Sequence, residues 1–223
     1  MVSLMPSISS ALKSEDKAPQ AGQLALVGGV LCLDFTNTVS GLHEGEHERE
    51  HLRSYDNLLA WATHAGALDV NQARMLSRRS RDDPNAAMRA FHRALTLREA
   101  IHDVFAAIAG KADVPRRMIE VINGALSETL RHACIISHGQ QFAWGWDDLT
   151  GRLDAPLWPV LRSAAEMLTE GKLDRVKQCP YPHCGWLFVD FSKNKSRRWC
   201  EMSVCGNRTK ARRHYMREKE ANS

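Results

Sequence analysis

The chain has no apolar run long enough to cross a membrane as a helix, and its first ten residues lack the pattern of a secretory signal. Internal repeats, coiled-coil heptads and a glycine-rich phosphate-binding loop are missing as well. These absences argue against a membrane protein, a secreted protein and a phosphate-loop nucleotide-binding protein. The 223 residues suffice for one domain and a small module, and 43% hydrophobic residues is ordinary for a globular protein. We therefore expect a cytoplasmic protein with no membrane partner.

Four of the six cysteines form two C-x4-C pairs near the C-terminus, Cys179 with Cys184 and Cys200 with Cys205. Zinc binds four thiolates as a closed tetrahedron, and each short pair can supply two ligands where proline and glycine allow a sharp turn. The pattern predicts one structural zinc ion. Free thiols, disulfides and an iron site are the alternatives, and the lack of a signal sequence disfavours disulfides.

The residues between and after the two pairs suggest the fold of this tail. Trp186 to Phe191 is typical of a strand, 192–196 of a polar turn and 197–199 of a short returning strand. A basic helix over 207–217 would follow, which gives a treble-clef-like order of knuckle, hairpin, knuckle and helix. We expect this module to depend on zinc and to be independent of the rest, so that Cys184→Ser unfolds the tail alone.

Charge is distributed unevenly along the chain. Residues 172–223 contain 13 Lys and Arg against 5 Asp and Glu, whereas the remaining 171 residues contain 17 against 21. A basic tail on an acidic body favours a polyanionic partner, and nucleic acid before a membrane. The predicted nucleic-acid-binding residues are Lys193, Lys195, Arg197, Arg198, Asn207, Arg208, Lys210, Arg212 and Arg213. The alternatives are a solvated basic surface and a pairing of Arg197 or Arg198 with Asp190.

Helical patterns dominate the rest of the chain, so the predicted fold is mainly α. We expect a disordered leader over residues 1–20, a helical domain with a small β-hairpin over 21–171, and the finger over 172–223. Capping signals and apolar periodicity predict helices at 55–64, 69–78, 85–109, 114–133 and 156–169. The hairpin is predicted at 134–146, with Trp144 and Trp146 on one strand face in the core, or alternatively in a pocket. A short strand or extended entry is predicted at 23–27.

Three polar residues fall within apolar patterns of this domain. Asp34 and Asn37 lie in the segment 30–39, which suits a buried helix or strand, and Arg98 lies on the apolar face of a predicted helix. Buried polar groups need partners, so these residues either tie neighbouring backbone together or line an effector pocket. Arg98 either extends its charged end to the surface or pairs internally, in which case Asp34 is the expected partner.

His43, Glu44 and His47 match the letters of a zinc metalloprotease motif, H-E-x-x-H. Such a site needs an apolar helix face that buries the metal, and the neighbours here are charged residues or glycine. We therefore expect a solvated charged loop or frayed helix without enzymatic activity, with adventitious metal binding by the histidines as the alternative.

The C-terminal residues resemble the CGNR zinc-finger family. The resemblance rests on Cys184-Gly-Trp-Leu-Phe, Asp190, Ser192-Lys-Asn, Ser196-Arg-Arg-Trp-Cys200, Met202, Cys205-Gly-Asn-Arg208 and Lys210-Ala-Arg-Arg213. Members of that family typically carry an N-terminal ABATE domain, whose opening pattern is similar to Leu31-x-Leu33-Asp-Phe-x-Asn-Thr38, and are described as stress-induced transcription regulators.

The resemblance implies a zinc-dependent regulator that binds double-stranded DNA. Its N-terminal domain would sense a small-molecule effector or form a homodimer. The alternative is a structural zinc module for RNA or protein interaction.

Overall fold

A computed structural model describes residues 20–41, 49–182 and 184–221. The helices are α1 (Leu31–Thr36), α2 (Tyr55–His64), α3 (Val70–Asp82), α4 (Pro84–Gly110), α5 (Arg116–Leu130), α6 (Trp158–Thr169) and α7 (Asn207–Ala221). Three antiparallel strand pairs accompany them: β1 (Val39–Ser40) with β2 (Arg49–Glu50), β3 (Ala133–His138) with β4 (Gln141–Trp146), and β5 (Val176–Gln178) with β6 (Leu187–Val189). The expectation of a mainly α fold with small hairpins is confirmed.

Helix α4 lies at the centre of the core, where it packs against α1, α2, α3, α5 and strand β5. Its start is fixed by Asp83, whose carboxylate accepts a hydrogen bond from Ala86 N at 2.8 Å, and by Pro84 in the first turn. Its apolar stripe is buried at every turn from Ala87 to Phe105. Such a helix derives most of its stability from this packing.

Helices α2 and α3 begin where capping residues predict. Ser54 Oγ accepts from Asn57 N, and Asp69 accepts from the amide nitrogens of Asn71 and Gln72. The Gln72 side chain accepts from Asp69 N in return, which completes a capping box. Local chemistry therefore determines these two boundaries.

Of the two forms expected for residues 23–27, a short strand or an extended entry, the structure has the extended entry from Leu24 onwards. Residues Ala21–Gln23 form a 3-10 turn, the chain then runs extended without strand pairing, and α1 occupies part of the segment that suited either a helix or a strand. Gly28 packs so closely on α1 that a Cβ there would lie 2.7 Å from Asp34 N. This contact requires glycine and holds the entry segment on the helix.

The β3–β4 hairpin is confirmed, but the prediction that both tryptophans lie in the core is wrong for Trp144. Its side chain is 48% exposed beside Ile135 and near Phe142, with the Arg162 guanidinium 5.2 Å from its ring. Trp146 packs against the buried Trp158 at a ring separation of 5.8 Å. A two-stranded hairpin buries only the end that reaches the helices, so alternation alone could not place Trp144.

Strands β5 and β6 belong to the main core as well as to the finger. Val176, Leu187 and Val189 are buried in the same apolar cluster as the helices of the N-terminal region. The expected hairpin is therefore wrong in its pairing: β6 pairs with β5 before the first cysteine pair, and residues 197–199 are not a strand. The β5–β6 hairpin therefore shares a core with the helices, which corrects the expectation of an independent module, whereas the four cysteines and Phe188 form a second, smaller buried cluster.

Within the described residues, every helix is too short or too polar to cross a membrane. The sequence motif at His43, Glu44 and His47 and nearly all of the predicted leader lie outside the described residues.

Candidate metal centre and basic helix

The four cysteines of the two C-x4-C pairs form one cluster. Their sulfur atoms all lie within 4.8 Å of one another, and Cys200 Sγ lies 3.5 Å from the sulfurs of both Cys184 and Cys205. Zinc with Zn–S distances of about 2.3 Å places tetrahedral sulfurs about 3.8 Å apart. All four side chains are buried, so the cluster matches a closed structural site.

Two backbone turns supply the sulfur atoms. The first pair lies at the end of the β5–β6 hairpin, where Cys179 N donates to Trp186 O at 2.8 Å and Gly185 adopts a positive φ of 75°. In the second pair, Cys200 precedes a π-helical turn, Met202–Gly206, and Cys205 lies within it, where Cys205 N donates to Glu201 O at 3.0 Å. Because α7 begins immediately after Cys205, a bound ion fixes the start of that helix.

The electrostatics of the cluster favour a cation. Hydrogen bonding with the neighbouring Cys179 raises the pKa of Cys184, whereas hydrogen bonding from Cys184 lowers the pKa of Cys179. Adjacent thiolates repel each other, so only a cation allows all four thiols to ionise together. Cys179, Cys184, Cys200 and Cys205 are thus placed so that they could hold one zinc ion, which would tie the hairpin to α7.

Asp190 organises the loop between the two cysteine pairs. One carboxylate oxygen accepts from Ser192 N and Oγ, and the other accepts from Lys177 Nζ at 2.6 Å and Arg197 N at 3.0 Å. Burial alone would raise the pKa of Asp190, but these hydrogen bonds outweigh it and hold the pKa well below its usual range. The loop is therefore built around a permanently charged carboxylate.

Arg197 is structural in this arrangement. Its guanidinium donates to the carbonyl oxygens of Val27, Val189, Trp199 and Cys200, and it lies 4.3 Å from the centre of the Phe188 ring. The guanidinium of Arg197 is therefore bound to groups of the protein itself. The sequence suggested Arg197 or Arg198 as the partner of Asp190. Arg197 does bond to Asp190, but through its backbone nitrogen and not through its side chain.

Most of the other predicted nucleic-acid-binding side chains lie on the surface. Lys193, Lys195 and Arg198 are exposed on the loop, although Lys195 forms a salt bridge with Asp174. Exposed positions on α7 are Asn207, Arg208, Lys210, Arg212 and Arg213. Asn207 Nδ2 donates to Ser203 O at 3.0 Å. Apart from Thr209, every position from Asn207 to Lys219 is exposed.

Asn37 joins the N-terminal region to the finger. Its amide nitrogen donates to Leu187 O at 2.9 Å, and its amide oxygen accepts from Leu187 N at 2.8 Å. The two residues are 150 positions apart and both are buried. Four further bonds connect the same regions: Val189 N to Gly28 O, Trp186 Nε1 to Val39 O, Gly41 N to Cys184 O, and Arg197 to Val27 O.

Asp34 and Arg98 have separate partners, which corrects the expected pairing between them. Asp34 accepts from Gly28 N at 2.7 Å, and burial raises its pKa to about 6. Arg98 is buried and forms a bidentate salt bridge with Glu50, at 2.6 and 2.7 Å, with a further bond to Thr38 Oγ1. An effector pocket formed by Asp34, Asn37 and Arg98 stays a prediction.

Sequence reasoning missed Lys177 and Glu50. Both are single charged residues whose partners, Asp190 and Arg98, lie 13 and 48 positions away, and no spacing rule relates such pairs. Lys177 does alternate with the buried Val176 in β5, which is the pattern of a half-buried strand.

Two family models match the chain. The ABATE model, described as "Putative stress-induced transcription regulator", matches residues 29–171, and the CGNR zinc finger model matches residues 175–218. Neither description is that of an enzyme. No curated protein matches the chain. Since the ABATE match covers more than half of the 223 residues, the chain belongs to the ABATE family and carries a CGNR zinc finger after that domain.

Proposed function

We propose that this protein is a zinc-dependent regulator of transcription that binds double-stranded DNA through α7. The observation that carries the proposal is the exposure of that helix: it begins at the metal cluster, has its main contacts with its own preceding π-helical turn, and presents basic side chains to solvent.

The length and charge of α7 suit a major groove. Its 15 residues make a rod about 22 Å long, and residues 207–221 contain six Lys and Arg against two Glu. A helix of this length is marginal in water unless something packs on it, and α7 has no apolar stripe that could provide such packing. A nucleic-acid duplex supplies both a groove for the helix and charge for its side chains.

The roles of the basic residues follow from their positions. Lys210, Arg212 and Arg213 lie on the first two turns of α7, where they can reach base edges or phosphates. Lys193 and Arg198 are exposed on the loop and are suited to the phosphate backbone. The N-terminal domain would then sense a ligand or mediate dimerisation.

A second candidate function is a structural or protein-binding module. It is supported by the burial of Val176, Leu187 and Val189 in the main core, through which the first half of the finger packs on the helices. The two functions differ in what they require of α7, because only DNA binding needs its exposed cations.

The test is binding of the zinc-loaded full chain to a labelled random-sequence duplex over a salt series. We compare the wild type with Lys210→Gln/Arg212→Gln/Arg213→Gln. The matched control is Arg116→Gln/Arg117→Gln/Arg131→Gln, which removes three exposed charges on and next to α5. Each lost phosphate contact lowers the slope of log K against log salt by about 0.9, so the α7 variant should lose up to about 2.7 and the control nothing. Absence of wild-type binding at low salt would reject DNA binding and favour the structural function.

A further inference from the structure

Helix α3 carries a row of basic side chains that the proposed function does not use. Arg74, Arg78 and Arg81 lie along one face of the helix, and all three are exposed. Among the described residues they have no ion-pair partner, in contrast to Arg98, which is bound to Glu50. Like charges three or four residues apart destabilise a helix slightly. The row of arginines therefore indicates a surface that binds an anion from outside the protein.

The row lines a surface groove between α2 and α3. The groove has a volume of about 750 Å³ and a partly apolar floor that includes Leu59 and Ala73. Asp56 is the acidic residue on its lining, while Asp82 and Asp83 follow at the end of α3. The three arginines therefore outnumber the single carboxylate inside the groove.

The shape of the groove suits a polymer better than a small molecule. Small-ligand sites enclose most of their ligand, whereas this groove is an open trough along a helix. From Arg74 to Arg81 the helix rises about 10 Å. One DNA strand carries a phosphate every 3.4 Å or so of axis, so this span covers about three phosphate steps.

The groove adjoins the side of the molecule where α7 starts. Gly22 lies on the lining of the groove, and the next residues, Gln23 to Ala25, line a second depression together with Arg49 and Arg208. His64 of α2 also bonds to Leu24 O at 2.8 Å. The second depression, which adjoins the groove through residues 22–25, therefore carries Arg49 and Arg208 together with one acidic residue, Glu201.

We propose that Arg74, Arg78 and Arg81 bind the phosphate backbone of the same duplex that α7 contacts. This inference rests on the proposed function. The helical domain then contributes affinity without sequence preference, while α7 contributes the preference.

The experiment measures duplex binding by the zinc-loaded full chain between 50 and 200 mM salt. Arg74→Gln/Arg78→Gln/Arg81→Gln should lower the slope of log K against log salt by about 2.7. Between 50 and 200 mM salt, the affinity of this variant should therefore fall by a factor about 40-fold smaller than that of the wild type. Replacement of the same residues by lysine should keep most of the slope, and the α5-region control triple should keep all of it. Circular dichroism and zinc content verify that each variant is folded.

The outcomes separate this inference from the function on which it rests. A slope that falls in the α7 variant but not in the α3 variant overturns the inference and leaves the proposed function standing. If the α3 variant changes the ranking of different duplex sequences, the arginines read bases and the phosphate assignment is wrong. If the wild type binds no duplex, both proposals fail.

Discussion

Replacement of Asn37 by alanine should destabilise the helices and the finger together. The substitution leaves Leu187 N and Leu187 O without their buried partners, because β6 lies inside the protein at this point. Each orphaned group costs about 1–3 kcal/mol, so the free energy of unfolding should fall by about 2–6 kcal/mol. In a chain of this length, 1 kcal/mol lowers Tm by about 2–4 °C, and we expect a decrease of at least about 4 °C.

The assay follows two signals during thermal or urea unfolding, helical circular dichroism and release of zinc to a chromophoric chelator. Both transitions should move to lower temperature by the same amount, because the β5–β6 hairpin that leads into the first cysteine pair is buried in the core of the helices. Asn71→Ala is the matched control, since Asn71 is exposed on α3. If the Asn37 variant releases zinc earlier while its helical transition does not move, the two parts are separate modules and our reasoning is wrong.

Three further predictions concern the metal cluster, its loop and a buried acid. Cys184→Ser should bind much less than one zinc per chain, because serine does not ionise at neutral pH, and the helices should lose stability as well. Atomic absorption measures the zinc content and thermal unfolding measures the stability of the helices. Stoichiometric zinc in this variant would refute the ligand set. Asp190→Asn replaces a carboxylate that accepts four hydrogen bonds by an amide with one acceptor oxygen. Zinc affinity, measured by competition with a chelator, should fall about tenfold or more. An unchanged zinc affinity would contradict this prediction. Asp34 has a folded pKa of about 6, above its unfolded value of 3.8, so its contribution to stability is full below pH 4 and is lost as the pH rises through 6. Between pH 4 and 7, the free energy of unfolding of Asp34→Asn should therefore rise by up to about 3 kcal/mol relative to that of the wild type. A difference between the two proteins in urea unfolding that does not depend on pH would contradict this.

Local signals in the sequence were sufficient for the helices after α1 and for the cysteine cluster. Ser54 and Asp69 cap the helices that they precede because capping depends on amides two or three residues away. The cysteine spacing predicts the cluster for the same reason, since the four residues between the cysteines of each pair allow a tight turn.

Contacts between distant segments could not be predicted in this way. The bonds of Asn37 to Leu187 connect residues 150 positions apart, and nothing in the composition of either segment indicates them. The strand partner of β6 was misassigned because residues 197–199 have the composition of a strand, whereas Arg197 instead binds carbonyl oxygens around the second cysteine pair. The surface position of Trp144 also depends on which end of the hairpin reaches the helices.

The most direct test of the account is hydrogen exchange of the α7 amides in zinc-loaded protein with and without duplex DNA. Since α7 is exposed along its length, its amides should exchange quickly in the free protein. A saturating duplex should slow exchange from Asn207 to Ala221, while the amides of α5 remain unchanged. If the duplex binds and the exchange of α7 does not change, this helix is not the DNA-contacting element and the central claim is wrong.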